Sequence, residues 1–155
     1  MNIRLIVVSK TDVGYLREGI EDYVGRLKHY VGFVVDVVPG LKGQLPPDEV
    51  RKREGELILK RLRPSDCVVL LDEHGREFTS VGFADYLQRQ MNAGVRELVF
   101  VVGGAFGFSN EVYAVASGKI SLSQMTFNHQ MVRLFFVEQL YRAFTIIRHE
   151  KYHNQ

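Results

Sequence analysis

Residues able to do acid–base or anion-binding chemistry gather near the C-terminus: His129, Arg133, Glu138, Arg142, His149, Tyr152 and His153. A histidine ordinarily titrates near neutrality, so it can take a proton from a weakly acidic group. Arginine forks suit phosphate and carbonyl oxygens. His149-Glu150-Lys151-Tyr152-His153 also matches H-E-x-x-H, the zinc hydrolase pattern. That chemistry needs both histidines within a helix and a third protein ligand. Only two residues follow His153, and the other histidines (His29, His74, His129) have no ligand spacing, so no metal is expected.

A second feature is Gly103-Gly104-Ala105-Phe106-Gly107. Glycine lets a backbone come close to a ligand, because it has no side chain and tolerates positive φ. The run is neither G-x-G-x-x-G nor a P-loop, so a dinucleotide or a triphosphate is not favoured. A glycine turn without any ligand fits this motif equally well.

These residues must be positioned by alternating strands and helices. Strands are predicted at Ile3–Val8, Phe33–Val38, Cys67–Leu71, Leu98–Val102 and Lys119–Leu122. Helices are predicted at Gly14–Tyr30 with Asp12 as cap, at 47–62, from Thr79 or Ser80 to Asn92, at Ser109–Ser117 and at His129–Arg148. Continuous apolar strands between helices mean a single α/β domain over 1–155, with a mainly parallel sheet and helices on both faces. Ligands in such sheets bind beyond the carboxyl ends of the strands. That points to the loops Asp72–Phe78, Gly103–Ser109 and Ser123–Asn128.

The last helix carries two apolar stripes. Val132, Phe136, Leu140, Ala143 and Ile147 form one; Leu134, Val137, Tyr141 and Phe144 form the other. Glu138, Arg142, Thr145 and His149 fall on a polar strip between them. One stripe can cover the sheet, and the second is expected to meet a partner copy in a homodimer. A larger monomeric core is the alternative.

Bulk properties narrow the class. The chain has 155 residues, 46% hydrophobic and 25% charged, with net charge +2, so charge alone does not announce a nucleic-acid binder. Residues 41–63 nevertheless hold seven Lys/Arg against four Asp/Glu. The lone cysteine, Cys67, sits in an apolar run and reads as an inert thiol. The N-terminal apolar run is too short for a signal or membrane segment, so a cytoplasmic protein without membrane attachment is expected.

Taken in order, Leu71-Asp72-x-x-Gly75, Gly103-Gly104-x-x-Gly107, Leu122-Ser123-x-x-Thr126-x-x-His129-x-x-x-Arg133, Glu138-Gln139-x-Tyr141-Arg142-Ala143 and Tyr152-His153 make the chain similar to the RlmH family. These are bacterial 23S ribosomal RNA pseudouridine N3-methyltransferases with the SPOUT fold. The resemblance spans essentially the whole chain. It implies a trefoil knot near the C-terminus, a rare topology, with S-adenosylmethionine bound in it. By position, the cofactor would be held by Leu71, Gly103, Gly104, Leu122, Ser123, Gln124, Met125, Thr126 and Phe127.

It further implies methylation of N3 of a pseudouridine in 23S ribosomal RNA, in the assembled ribosome. N3 must lose a proton, for which His129 and His153 are the candidate bases. Arg133 and Arg142 would grip phosphate or the uracil carbonyls, and Tyr152 would stack on a splayed base. The tail is expected to complete the pocket of the partner subunit. A catalytically silent RNA-binding module and a zinc hydrolase are the competing classes.

Overall fold

The apolar runs form strands because their side chains alternate between two buried faces. Ile3, Leu5 and Val7 of β1 (Asn2–Val8) join Val69, Leu98, Phe100 and Val102 in one core, while Ile6 and Val8 join Val68, Leu70, Val99 and Val101 in the other. In this computed structural model, which describes residues 1–154, β1 is followed by β2 (Gly32–Val38), β3 (Cys67–Glu77), β4 (Glu97–Val102) and β5 (Gly118–Ser121). Gln155, the end of the expected domain, lies outside the described residues. The strands form one all-parallel sheet in the order β2-β1-β4-β3-β5.

Helices α1 (Gly14–Leu27), α3 (Ser80–Asn92) and α5 (Met131–Ile147) cover the first face; α2 (Pro47–Leu59) and α4 (Asn110–Val115) cover the second. The expected α/β class, parallel sheet and two helical layers are all present. Thr79 caps α3 by accepting the Gly82 N–H. Asp12 does not cap α1. The side-chain carbonyl of Gln130 instead accepts from the backbone N–H groups of Asp12 and Val13, at 3.0 and 3.3 Å. A group from far along the chain thus fixes the two residues that lead into α1.

Two departures shape the site. β3 runs on to Glu77, with a register irregularity that lets both Leu71 and Arg76 pair with Ile120. At Gly75 in this stretch, an added Cβ would lie within 2.7 Å of the Lys119 and Ile120 backbone, so only glycine permits the approach. The second departure concerns α5, which packs between α1 and α3. Val137 and Phe144 are buried in this chain's own core, Leu134 packs against Gly19, and Tyr141 lies 5.8 Å from Tyr23. The second stripe is therefore covered by α1, and the monomeric core is the correct reading of it. Thr145, expected on a polar strip, is also buried and donates its hydroxyl to the Arg142 carbonyl. The side chains that α5 does expose are Met131 and Phe135.

Phe144→Asp is accordingly expected to unfold the subunit itself. An unpaired carboxylate buried against Tyr30 costs upwards of about 3 kcal/mol. Thermal melting checks this; a folded variant that is merely monomeric would contradict the assignment of Phe144 to the core.

Candidate active site

The carboxyl ends of β3, β4 and β5 open onto one cavity of about 670 Å³, within the range for a small-molecule cofactor. Leu71, Gly103, Gly104, Leu122, Ser123, Met125, Thr126 and Phe127 all line it, so the structure brings together three segments far apart in sequence. Gln124 is exposed and is not among the lining residues. His129 lines the cavity too, at its entry to α5.

The wall is built from short-range contacts. The Thr126 hydroxyl donates to Glu73 at 2.6 Å, tying the β5–α5 loop to the stretch of β3 beyond Leu71. The Ser121 hydroxyl donates to the Ser123 carbonyl, and the Ser123 hydroxyl accepts the Met125 N–H. Asp72 accepts from the Tyr113 hydroxyl and from the His74 backbone N–H. Burial pushes the Asp72 carboxyl up, but these bonds outweigh it and hold it below its ordinary value. The same burial and the bond to Asp72 push Tyr113 up to about 12. Burial lowers His129, helped by the charge of Arg133, so its imidazole is neutral through the neutral range.

Arg133 does not face the cavity. It is 1% exposed, and its guanidinium donates to the carbonyls of Val8 (2.6 Å) and Ser9 (2.9 Å) and to the Thr11 hydroxyl (3.0 Å). The expected grip on phosphate or uracil is therefore corrected: Arg133 anchors α5 to the end of β1.

The remaining candidates form a second cluster. Arg142 donates to Glu138 at 2.6 Å and to His153 Nδ1 at 3.1 Å; Tyr152 donates to the same Glu138 oxygen at 3.0 Å and pairs with the Tyr23 hydroxyl. The guanidinium also lies over the Tyr152 ring, 4.8 Å from its centre. A guanidinium only donates, so Nδ1 of His153 accepts and its neutral ring carries hydrogen on Nε2. Nε2 is buried with no partner. Burial raises the Tyr152 phenol above its ordinary value, as do the bonds to Tyr23 and Glu138.

None of Arg142, Tyr152 or His153 lines the cavity, so within one chain the cavity and this cluster are separate. The H-E-x-x-H segment lies past the end of α5, with His149 at φ 57°, so its histidines do not share a helical face. Among the described residues, no group of three or more His, Cys, Asp or Glu side chains could hold a metal ion, and no helix is long and apolar enough to cross a membrane.

Some lining residues escape a reading of the sequence. Asp72 and Glu73 fall in a segment that the sequence flags as a loop and the structure makes part of β3, but nothing in their spacing marks them as wall contacts. Arg51 and Tyr113 reach the cavity from helices on the opposite face, where no periodicity points to a ligand.

The profile of a family described as "Predicted SPOUT methyltransferase" matches residues 1–153. Among similar proteins, one from Parabacteroides distasonis is 54% identical, one from Flavobacterium johnsoniae 53% and one from Bacteroides thetaiotaomicron 50%. Each alignment covers 100% of both chains, and each of these proteins is named ribosomal RNA large subunit methyltransferase H. Matched from residue 1 to residue 153, with whole-length relatives at half identity or more and a cavity at the ends of its parallel strands, this chain belongs to the SPOUT methyltransferase family.

Proposed function

We propose that this protein is a cytoplasmic methyltransferase that carries the methyl group of S-adenosylmethionine to N3 of a pseudouridine in 23S ribosomal RNA, in the assembled ribosome. It would act as a homodimer whose active sites are shared between subunits. The observation that carries this reading is the separation of the cofactor-sized cavity from the Arg142–Tyr152–His153 cluster within one chain. The names of the relatives point to ribosomal RNA of the large subunit as substrate.

The cavity fits the cofactor. Its walls combine glycine backbone, the apolar Leu71, Leu122 and Phe127, and the ionised Asp72. An added Cβ at Gly103 would press to 3.1 Å of the Phe108 ring, so the loop has no slack for a larger residue. When bound, S-adenosylmethionine supplies a methyl group on a cationic sulfur. In the transfer the sulfur–carbon bond breaks, the N3–carbon bond forms and the N3 proton leaves.

The protein's task is alignment, exclusion of water and handling of that proton. Neutral His129, inside the cavity, is placed to take it. His153 already spends its acceptor nitrogen on Arg142 and its Nε2 is buried, so it holds the cluster in place rather than acting as the base. Tyr152 offers a ring for the base to stack on.

Symmetry supports the shared site. Met131, Phe135, Glu138 and Arg142 lie at i, i+4, i+7 and i+11 of α5, on one face, with apolar and polar ends about 16 Å apart. Phe127 extends the apolar end, its ring 5.0 Å from Phe135. Pairing α5 with its copy about a two-fold axis, antiparallel, sets each apolar end and its adjoining cavity beside the partner's tail cluster. The trefoil knot is part of the proposal: α4 delivers the chain to β5 from one face, and α5 continues on the other, so residues 122–130 pass the β3–α3 connection where threading would occur.

Two outcomes test this reading. His129→Gln should lower the methylation rate about 100-fold while S-adenosylmethionine still binds. A base must be unprotonated, so wild-type activity should hold across neutral pH and fall only below the ordinary histidine range. A profile that falls between pH 8 and 6.5 would contradict His129 as the base.

The second outcome concerns the shared site. Truncation before Tyr152 should abolish methylation but not cofactor binding by calorimetry, and Gly103→Val should abolish cofactor binding in a folded dimer. Mixed and allowed to exchange, the two inactive proteins should regain roughly a quarter of wild-type activity, since heterodimers hold one complete site. Continued inactivity after demonstrated exchange would exclude a tail acting across the interface.

A further inference from the structure

Behind the glycine loop, on the side away from the cavity, sits a carboxylate that the proposed chemistry does not use. Glu54 on α2 is 8% exposed, and its Oε1 is buried with no hydrogen-bond partner. An added Cβ at Gly104 would lie 2.6 and 2.7 Å from its two oxygens, so the carboxylate rests directly against the backbone of a cavity-lining residue. The neighbouring Gly55 allows this placement, because a Cβ there would meet the Ser109 hydroxyl, the cap of α4, at 2.4 Å. Arg51, one turn earlier on the same helix, is occupied by Asp48 and the Phe106 carbonyl. Among the described residues, no cation pairs with Glu54.

A buried carboxylate without a partner is costly and calls for a compensating positive charge. Burial raises its pKa, so the ionised form is disfavoured unless a positive charge comes near. The cavity on the other side of Gly104 is where a cationic ligand would arrive. We propose that the Glu54 carboxylate is the buried counter-charge for the cation of S-adenosylmethionine, so that the cavity favours the methyl donor over its neutral-sulfur product. The inference rests on the cofactor reading above. Glu54 touches neither cofactor nor substrate; it acts across one glycine, where the low dielectric keeps a charge effective. Loss of the positive charge in the transfer step would then weaken the hold on the product and assist its release.

The test compares two ligands on the full-length protein by titration calorimetry: S-adenosylmethionine and S-adenosylhomocysteine. Glu54→Gln keeps the shape and removes the charge. It should weaken S-adenosylmethionine binding about tenfold and leave S-adenosylhomocysteine within about twofold. Equal change for both ligands, or no change for either, overturns the proposal, since a purely structural role would move both together. If the variant does not fold, the wild type decides. An analogue with a protonated amine in place of the sulfonium should bind it about tenfold more tightly than S-adenosylhomocysteine, and equal affinities refute the counter-charge. Failure of the wild type to bind any of the three overturns the cofactor reading, and this inference with it.

Discussion

A guanidinium taken out of water must have its donors satisfied or the fold loses several kcal/mol. Arg133 meets most of that requirement by donating from its two terminal nitrogens to Val8, Ser9 and Thr11 at the end of β1, while its Nε stays buried without a partner. The acceptors are oriented for it. Ser9 takes a left-handed backbone, φ 64°, and its own N–H is held by the Val38 carbonyl. Arg133 thereby pins the start of α5 to the carboxyl end of β1. Gln130, one turn earlier, holds the backbone that leads into α1. With both contacts made, residues 122–129 have a fixed landing point, and the wall they form has a defined shape.

The pinned helix divides α5 by height. Its buried face joins the sheet and α1, leaving Met131 and Phe135 exposed and Glu138 and Arg142 half-buried under the tail. Beyond its end the tail folds back: Tyr30 donates to Glu150, the Glu150 N–H reaches the Thr145 carbonyl, and Tyr152 meets Glu138 and the edge of Tyr141. The tail is thus ordered within its own subunit before any substrate arrives. Preorganisation of this kind lowers the entropy lost when a base is captured.

Much of this was legible in the sequence. The apolar runs located all five strands, and the rule that ligands sit beyond strand carboxyl ends selected the cavity loops. The cofactor positions followed from the resemblance, and the structure gathers all of them except Gln124 around one cavity. What could not be read was which side of α5 faces which neighbour. Periodicity showed that Val137 and Phe144 need cover, but not that α1 supplies it. Arg133 misled for a related reason: an arginine near catalytic candidates invites an anion-binding role, and only tertiary contacts reveal backbone carbonyls as its partners. Glu54 gave no signal, since a helix of alternating charges hides which carboxylate turns inward.

The low net charge fits this division of labour. With +2 overall, counterion release cannot supply much affinity for naked RNA. Recognition must come from shape and from a few well-placed groups. The proposed site, completed across a two-fold axis, would meet that need, because the tail cluster and the cavity are separate within one chain. A cationic donor held opposite a buried carboxylate adds a second condition, tied to the methylation state of the cofactor. On this proposal assembly and charge would act at different steps: one would make the site, and the other would empty it after transfer.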